Sequence, residues 1–418
     1  MAAWPNPWLP LLLVAALLAF EDWLSTPSCS GGEPAPDLAA GDLRAMMVAD
    51  LMLLGSDATY ADRFFRDHVT SKLFTKSIQT TNPDMIIVLG DISARGSEHN
   101  ESKWIAVLEQ FEGILGQYSS LPLHIVLGDK DVGECSSLDG KLVHRMAKHL
   151  PGLDSSGCGA FEFSNTSFVS LNAVALLCGD NMLRFSVEKV MEKESHHFQK
   201  KRLNGAYHSP LGSENGEGVG AHSWRQNSMT LGSGPVLLLH IPLHKSQKSD
   251  TGVIGVPMFP DGTVSDHPLV PPSSKQSPLV PPSSKQSPLV PPSSKQSPLV
   301  PPSSKQSGVD GRRLYDQSHT LPANSTQYIL QALKPRIIFS AHADSFSDYT
   351  HPDGTREVTV PAMTWKKGGM PGFAIATFGQ KGVVSVNCCW LVQEWYIMTG
   401  YSVFLFLTAL AIRWSHWI

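Results

Sequence analysis

The stretch MIIVLGD at residues 85–91 is a short apolar run that ends in glycine and aspartate. Such a run, bounded by turn residues, is typical of a β-strand. Apolar side chains at helical spacing precede it at residues 60–80 and follow it at residues 104–118. Two more apolar runs, at residues 43–51 and 124–127, lie outside these helices. This β-α-β-α-β order predicts an α/β fold with a parallel sheet and right-handed crossovers.

Acidic residues and histidines stand where several of these apolar runs end. They are Asp50, Asp91, Asp129, Asp131, His240, His342 and Asp344. In open α/β sheets, ligands bind outside the carboxyl ends of the strands, so these side chains are expected to converge on one crevice. Five carboxylates and two imidazoles in one crevice would repel one another and lose hydration unless cations were bound. The sequence therefore predicts a metal site, with two ions expected.

The globular domain is predicted to extend over residues 43–386. Further strands are predicted at residues 160–163, 168–171, 236–240, 336–339, 358–361, 372–377 and 383–387. Residues 25–42 are small and rich in proline and glycine, which indicates a linker before this domain.

A different kind of sequence occupies residues 267–306, which hold four copies of a ten-residue Pro/Ser-rich unit. Its prolines exclude a helix, and without aromatic residues it cannot bury enough surface to fold, so a disordered insertion is predicted. Two interpretations stay open. The unit could be a ligand for a proline-binding module, since residues 268–271 fit PxxP, or a tolerated expansion within a surface loop.

Apolar segments lie near both ends of the chain. Residues 8–20, within residues 1–24, form an apolar run of 13 residues, which suits a signal peptide better than a full span of roughly 20 residues. Trp4 and Trp23 could flank this run at a membrane interface, so an uncleaved N-terminal anchor stays open. Residues 396–412 carry no charge, which predicts a C-terminal transmembrane helix; a buried core helix is the alternative.

Charge and cysteine content narrow the function classes. A net charge of −4 gives no reason to expect nucleic-acid binding. The six cysteines include no CxxC pair, so neither a zinc knuckle nor a thioredoxin-type site is expected. Cys135 and Cys158 could form a disulfide in an oxidising compartment. Glycosylation sequons at Asn100, Asn165 and Asn324 support a luminal middle region.

The order of the strand-end motifs resembles the calcineurin-like metallophosphoesterase superfamily. The motifs are Asp50, Gly90-Asp91, Gly128-Asp129-Lys130-Asp131, His240 and Ala341-His342-Ala343-Asp344. The resemblance covers residues 43–386 apart from the repeat, and it implies a metallophosphoesterase-like β-sandwich flanked by helices, with terminal membrane segments. The flanking stretches 49–55, 169–176, 240–243 and 360–365 look like the membrane-anchored branch of this superfamily.

That branch removes ethanolamine phosphate from glycosylphosphatidylinositol (GPI) anchors in the early secretory pathway. The resemblance thus implies an endoplasmic reticulum or Golgi membrane, a luminal main domain, and GPI-anchored proteins or another phosphodiester as partners. Carried over by position, Asp91 would bridge two divalent ions. The first ion would add Asp50 and Asp344, and the second would add Asp129, His240 and His342. Mn²⁺ is the ion most expected, and Fe, Zn²⁺ and Mg²⁺ also suit oxygen and imidazole ligands.

Asp129 stands where the superfamily has an asparagine that binds the second metal, Asp344 where it has the last histidine of the first metal site, and Ala341 where it has a glycine. A carboxylate can serve as a ligand at both aspartate positions.

Two further departures bear most directly on catalysis. Met52 stands where the family has a metal-binding histidine, and a thioether is a poor ligand for a hard divalent ion. Lys130 stands where the family has the histidine that steadies phosphate or protonates the leaving group. With an ordinary pKa of about 10.4, a lysine could bind phosphate but would shuttle protons poorly. We therefore expect a metallophosphoesterase; the alternative is a catalytically weakened relative that binds GPI-linked cargo or a trafficking receptor.

Overall fold

The computed structural model describes residues 8–30, 42–178, 182–206, 234–245, 320–365, 369–379 and 383–415. The chain divides into two units, one of which is Gln247–Gly308. This unit, and with it the repeat predicted to be disordered, lies outside the described residues. The description below concerns the other unit.

The helices include one that overlaps each of the two stretches predicted at residues 60–80 and 104–118. They are α1 (Trp8–Leu24), α2 (His68–Thr81), α3 (Glu101–Leu115), α4 (Asp129–Val132), α5 (Gly140–Ala147), α6 (Ala173–Leu177), α7 (Met182–Ala206), α8 (Ala323–Leu333) and α9 (Glu394–Ser415). A π-helix at Asp62–Asp67 runs directly into α2. The helix predicted at residues 60–80 is therefore present, but its first part is wound more widely than an α-helix.

The strands form two six-stranded sheets. They are β1 (Ser28–Ser30), β2 (Leu43–Val48), β3 (Met85–Val88), β4 (Leu123–Ile125), β5 (Gly159–Phe163), β6 (Thr166–Ser170), β7 (Val236–Leu238), β8 (Ile337–Ala343), β9 (Ser347–Thr350), β10 (Arg356–Pro361), β11 (Gly372–Phe378) and β12 (Val384–Trp390). The first sheet has the order β1-β12-β11-β2-β3-β4, and the second has β5-β6-β7-β8-β10-β9. Strands β2, β3 and β4 are parallel, as the β-α-β-α-β order predicted.

The two sheets pack face to face, because apolar side chains from both contribute to one core. Leu43, Ala45 and Met47 of β2 lie in a core that also contains residues of the second sheet. Phe168 of β6 and Phe339 of β8 both meet Phe378 of β11, with ring centroids 5.6 and 6.3 Å apart. The opposite faces pack on helices. The predicted α/β fold, with two sheets and flanking helices, is confirmed.

The cysteines pair differently from the prediction. The structure joins Cys135 to Cys178, at the end of α6, with their Cα atoms 4.9 Å apart. Cys158 is buried and free; its Sγ accepts a hydrogen bond from the backbone N–H of Asn172. The predicted Cys135–Cys158 bridge is therefore wrong, since burial and the local hydrogen bond hold Cys158 elsewhere.

The predicted linker at residues 25–42 contains structure. Its residues Ser28–Ser30 form β1, which pairs antiparallel with β12, and Cys29 is bonded to Cys389. Residues 31–41 lie outside the described residues. A strand of three residues, two of them serine, carries no periodicity that could reveal it in the sequence. It is recognised as a strand only by its pairing with β12.

The last helix, α9, is exposed along most of its length. Within it, Glu394–Arg413 is long and apolar enough to cross a membrane by length and composition, and only 6% of its 18-residue window is buried. The Phe20 ring of α1 packs against Gly400, and the Tyr401 hydroxyl donates to Glu21 Oε1 at 2.5 Å. The two apolar helices therefore lie side by side.

Candidate metal centre

Four side chains from different strand ends meet at the edge of the sandwich. Asp91 follows β3, Asp129 begins α4 just after β4, His240 follows β7, and His342 lies near the end of β8. Each offers one ligand atom, and these atoms all lie within 4.8 Å of one another. Asp91, Asp129 and His240 are fully buried, whereas the His342 side chain is 10% exposed. The predicted convergence of strand ends thus holds for these four residues.

The imidazole of His240 is oriented by the backbone. Its Nδ1–H donates to the carbonyl oxygen of Leu89 at 2.8 Å, which directs Nε2 into the cluster. There Nε2 lies 2.8 Å from Asp129 Oδ1 and 3.5 Å from Asp91 Oδ2. Metal-bound histidines commonly donate their second ring N–H to a carbonyl or carboxylate in this way. The geometry therefore suits a histidine that offers Nε2 to an ion.

The carboxylates are placed to accept a cation. Asp129 Oδ1 lies 2.8 Å from His240 Nε2 and 3.1 Å from His342 Nδ1. Asp91 Oδ1 accepts the backbone N–H of Lys130 at 2.8 Å, while Asp91 Oδ2 is buried and accepts no hydrogen bond. A buried carboxylate oxygen without a donor is costly unless a cation satisfies it. Two carboxylates and two imidazoles form a donor set that fits a divalent transition metal.

Burial and mutual repulsion shift the pKa values strongly. Burial, reinforced by Asp129 and Asp50, raises the pKa of Asp91 well above its usual range against the opposing effect of His240. Burial also disfavours charge on His240, but Asp91 and Asp129 outweigh it and raise the pKa of His240 to about 10. At neutral pH the cluster therefore holds protons. Since metal ligands bind in their deprotonated forms, metal binding is expected to release them.

Several residues at the cluster adopt left-handed backbone conformations without being glycine. They are Asp50, Met52, Asp91 and His342, with φ between 53° and 55°. Such conformations cost about 1–3 kcal/mol each and concentrate at functional sites. Backbone hydrogen bonds hold them here: Asp50 N–H donates to Gly90 O at 3.1 Å, and Met52 N–H donates to Asp91 O at 3.0 Å.

Asp131 fastens the loop of Asp91 to the loop of Asp129. Its Oδ2 accepts the backbone N–H groups of Asp91 and Gly128, and its Oδ1 accepts that of Ser93, each at 2.9 Å. Burial raises its pKa to about 6, against the opposing effect of the Gly128 and Ser93 hydrogen bonds. Asp131 thus holds the cluster in place, and it is not one of the four residues that could take an ion.

Two glycines are required by close approach at the cluster. Gly90 has φ +96°, and a Cβ there would lie 2.5 Å from His240 Nδ1. A Cβ on Gly128 would lie 2.2 Å from Asp91 Oδ1 and 2.5 Å from the Asp91 backbone nitrogen. Neither position can hold a side chain without moving a proposed ligand.

We expect Gly128→Ala to weaken metal binding by about 10–100-fold, as is usual when the residues that hold a ligand are disturbed. The added methyl group would displace the Asp91 carboxylate. Isothermal titration with Mn²⁺ measures the change. Gly140→Ala is the matched control, because a Cβ at Gly140 meets nothing within 4 Å. Equal affinity in both variants would contradict the role assigned to Gly128.

Two predicted ligands lie outside the four-residue cluster. Asp50 is fully buried and near enough to raise the pKa values of Asp91 and His240 by its charge. Asp344 is exposed. Asp344 lies just beyond the end of β8, two residues after the left-handed backbone at His342. The structure therefore brings Asp50 beside the cluster and leaves Asp344 at the surface.

Lys130, the predicted catalytic residue, forms an ion pair with its neighbour. Its Nζ lies 3.0 Å from Asp129 Oδ2 and 3.3 Å from Glu134 Oε1, and its side chain is 36% exposed. Burial disfavours its charge, but Asp129 outweighs this and raises the pKa of Lys130. The negative charge of Asp129 and the positive charge of Lys130 thus compensate each other.

A buried network behind His240 was not identified from the sequence. Glu357 of β10 is fully buried; its Oε1 accepts the N–H of Leu243 at 3.0 Å and the Ser340 hydroxyl at 2.7 Å. Its Oε2 lies 2.8 Å from His351 Nε2. The network fixes the loop that carries His240. A glutamate among the buried residues of a strand was the signal that could have revealed it.

The chain is similar in sequence to curated proteins over most of its length. No family model matches the chain. The chain is 25% identical over 383 residues to Metallophosphoesterase 1 of Cricetulus griseus, which covers 90% of this chain and 81% of that protein. It is 24% identical over 373 residues to Metallophosphoesterase 1 of Rattus norvegicus, with coverage of 88% and 78%. These similarities support the metallophosphoesterase superfamily.

Solved structures were also compared. A dimetal phosphatase from Danio rerio aligns with a TM-score of 0.38 and 14% identity, covering 82% of this chain and 98% of that chain. A purple acid phosphatase from yellow lupin seeds aligns with a TM-score of 0.39 and 12% identity, covering 85% and 54%. For the chain itself, the sequence relatives and the four-residue cluster together support a metallophosphoesterase with a candidate metal site.

Proposed function

We propose that the protein is a metal-dependent phosphodiester hydrolase of the early secretory pathway, and that it acts on the ethanolamine phosphate of GPI glycans. The observation that carries the hydrolase proposal is the cluster of Asp91, Asp129, His240 and His342 at the ends of four strands. The substrate and compartment rest on the resemblance of the motifs and their flanking stretches to the GPI-remodelling branch.

In this proposal the four cluster residues hold one divalent ion, and Asp50 contributes to a second. The ions, Mn²⁺ most of all, would supply Lewis acidity and lower the pKa of a bound water. Asp131 accepts the backbone N–H of Asp91, and the backbone N–H of Lys130 donates to the Asp91 carboxylate, so both hold Asp91 in position. The Lys130 ammonium lies beside the cluster at the side of Asp129 and would attract the negative phosphate.

Several features support a luminal, membrane-attached setting. Two disulfides join Cys29 to Cys389 and Cys135 to Cys178, as is usual in oxidising compartments. All three predicted glycosylation sites, Asn100, Asn165 and Asn324, are exposed. The exposed apolar helix α9 suits a membrane span.

The contacts of α1 favour a retained anchor over a cleaved signal peptide. Glu21 accepts the Tyr401 hydroxyl and pairs with Lys72 of α2, and Asp22 pairs with Lys76. The strand and disulfide that follow α1 attach the chain to β12, just before α9. In this proposal α1 and α9 anchor the domain together, and a lipid-linked substrate is held at the same membrane surface.

Metal removal and replacement test the proposal. The full chain, purified in detergent, is expected to lose hydrolysis of bis(p-nitrophenyl) phosphate after chelation and to regain it with Mn²⁺. Metal analysis should find two equivalents per chain. Asp344→Asn tests the surface carboxylate, and unchanged activity and metal content would remove Asp344 from the ligand set. Activity that persists after complete metal removal would contradict the proposal.

The second candidate function is a catalytically weakened protein that binds GPI-linked cargo or a trafficking receptor. Met52 and Lys130 favour it, because they stand where the superfamily pattern has imidazoles. One equivalent of metal or none, together with no turnover of any phosphodiester and retained binding of a GPI-linked protein, would support this function over hydrolysis.

A further inference from the structure

The two histidines of the metal centre stand on neighbouring segments of the second sheet. His240 follows β7 and His342 lies in β8, and these strands pair in parallel. Beyond the paired region, the Ala341 N–H still donates to the carbonyl oxygen of His240 at 2.9 Å. His342 Nδ1 lies 3.2 Å from His240 Nε2. Distances in metal sites hold to within about 0.2 Å, so the relative position of the two segments decides how well both imidazoles meet one ion.

One carboxylate oxygen contacts both of these segments. Glu357 Oε1 accepts the N–H of Leu243 at 3.0 Å, and Leu243 is three residues after His240. The same oxygen accepts the hydroxyl of Ser340 at 2.7 Å, and Ser340 is two residues before His342. Glu357, Leu243 and Ser340 are fully buried. The position of this oxygen therefore constrains both histidine-bearing segments at once.

The second oxygen of the Glu357 carboxylate is held by the turn between β9 and β10. Glu357 Oε2 lies 2.8 Å from Nε2 of His351, which is also buried. The His351 N–H donates to the carbonyl oxygen of Thr355 at 2.8 Å, and its own carbonyl oxygen accepts the N–H of Gly354 at 2.9 Å. A carboxylate with partners at both oxygens is fixed in one orientation.

The other contacts of the loop after β7 lead to a different element. The His244 N–H donates to Thr326 Oγ1 at 2.9 Å, and the carbonyl oxygen of Pro242 accepts the N–H of Leu321 at 2.8 Å. Thr326 lies in α8 and Leu321 just before it. These contacts attach the loop to α8, whereas Glu357 attaches it to β8, the strand that carries the other histidine.

Stability alone does not require a carboxylate at this position. Burying a charged group costs free energy, and replacing buried polar partners by apolar groups of similar shape is often neutral or stabilising. The next residue of β10, Val358, shows that the strand accepts apolar side chains in its buried part. What the carboxylate adds is direction, because each of its hydrogen bonds fixes a donor at a set distance.

We propose that Glu357 is a positioning residue that sets the separation of His240 and His342, and through it the affinity of the metal centre for a divalent ion. The inference rests on the proposed function and adds a residue on which its metal site depends. Glu357 does not bind the ion itself; it acts through the backbone of Leu243 and the hydroxyl of Ser340.

Co²⁺ is the probe for this role, since it suits carboxylate and imidazole ligands and its visible absorption reports the coordination geometry. In the full chain, purified in detergent, Glu357→Leu is expected to weaken Co²⁺ binding by about 10–100-fold in titration calorimetry and to change the spectrum. The physical reason is that neither Leu243 nor Ser340 keeps its acceptor. Glu357→Gln conserves the shape and one acceptor oxygen, so it should stay within about threefold of the wild-type affinity.

Val358→Ala is the matched control for a loss of stability without a loss of position. The Val358 side chain lies in the core between the sheets, so its truncation should lower Tm and leave the Co²⁺ affinity and spectrum unchanged. Wild-type affinity and spectrum in Glu357→Leu would overturn the proposal. So would equal weakening in Glu357→Leu and Val358→Ala, because the effect would then follow stability alone.

Ser340→Ala decides the matter if Glu357→Leu does not fold. This variant removes one buried hydroxyl on the His342 side and leaves the Glu357 carboxylate in place. It is expected to weaken Co²⁺ binding by up to about tenfold, the effect of one hydrogen bond, and to shift the Co²⁺ spectrum. An affinity and a spectrum equal to those of the wild type would refute the positioning role.

The readout separates this proposal from the hydrolase. A wild-type protein that binds Co²⁺ but turns over no phosphodiester would contradict the hydrolase, and the affinities of the variants would still decide the role of Glu357. A wild-type protein that turns over bis(p-nitrophenyl) phosphate, with Co²⁺ binding unchanged in Glu357→Leu and Ser340→Ala, would overturn the positioning role alone. A wild-type protein that binds no Co²⁺ would overturn both.

Discussion

Replacement of Asp91 by asparagine is expected to lower kcat/KM for bis(p-nitrophenyl) phosphate by about 10³-fold, because a lost metal contact of several kcal/mol corresponds to about tenfold per 1.4 kcal/mol. Asp91 is the proposed shared ligand, and its buried Oδ2 accepts no hydrogen bond. The amide would remove the negative charge that the ions require. Kinetics with Mn²⁺ and metal analysis of the same sample measure the effect.

Asp84→Asn is the matched control for this variant. Asp84 lies just before β3, at the strand end opposite Asp91, where its Oδ2 accepts the backbone N–H of Arg44 at 2.8 Å and the residue is exposed. Its replacement should leave metal content and turnover unchanged. A wild-type rate and full metal content in Asp91→Asn would exclude Asp91 as a required metal ligand.

Restoring imidazoles at two positions where the superfamily pattern has histidine is expected to raise activity. The double variant Met52→His with Lys130→His should increase kcat by roughly 10²–10⁴-fold, the usual contribution of a general acid. Met52 is almost fully buried, and its N–H is bonded to the carbonyl oxygen of Asp91, so an imidazole there would lie close to the proposed first ion. Steady-state kinetics and metal stoichiometry provide the measurement.

The charge of Asp129 must be considered in this experiment. Lys130 compensates it in the native protein, so Lys130→His leaves the carboxylate less balanced. Adding Asp129→Asn restores the balance, and the triple variant should be at least as active as the double one. Met52→Leu with Lys130→Arg, which conserves apolar character and charge, is the control and should show no gain. An unchanged kcat in the restored variants would mean that the native residues do not limit catalysis.

The strand ends were predictable from sequence because their signal is local. Residues 85–91 carry an apolar run and its terminating aspartate within seven positions, and parallel strands place such ends at one edge. The same reasoning predicted that Asp91, Asp129, His240 and His342 would meet, and they do. Asp344 fulfils the same motif but is exposed, and residue spacing alone does not reveal that exposure.

The cysteine pairing and the Glu357 network were not predictable for a related reason. Cys178 and Cys135 are 43 residues apart, and Cys158 offers a closer partner in sequence. Glu357 lies on β10 and accepts the N–H of Leu243, which follows β7, and β8 lies between these two strands in the second sheet. Both contacts depend on which elements become neighbours after folding.

By itself, the sequence determined the α/β class, the parallel order of the first strands, and the residue types at their ends, since each depends on periodicity over a few positions. The tertiary structure decided which of the residues at those strand ends lie close together. It brought four candidate metal ligands into one cluster and paired Lys130 with Asp129. These features depend on distances between remote residues, which only the packing of the two sheets and their helices defines.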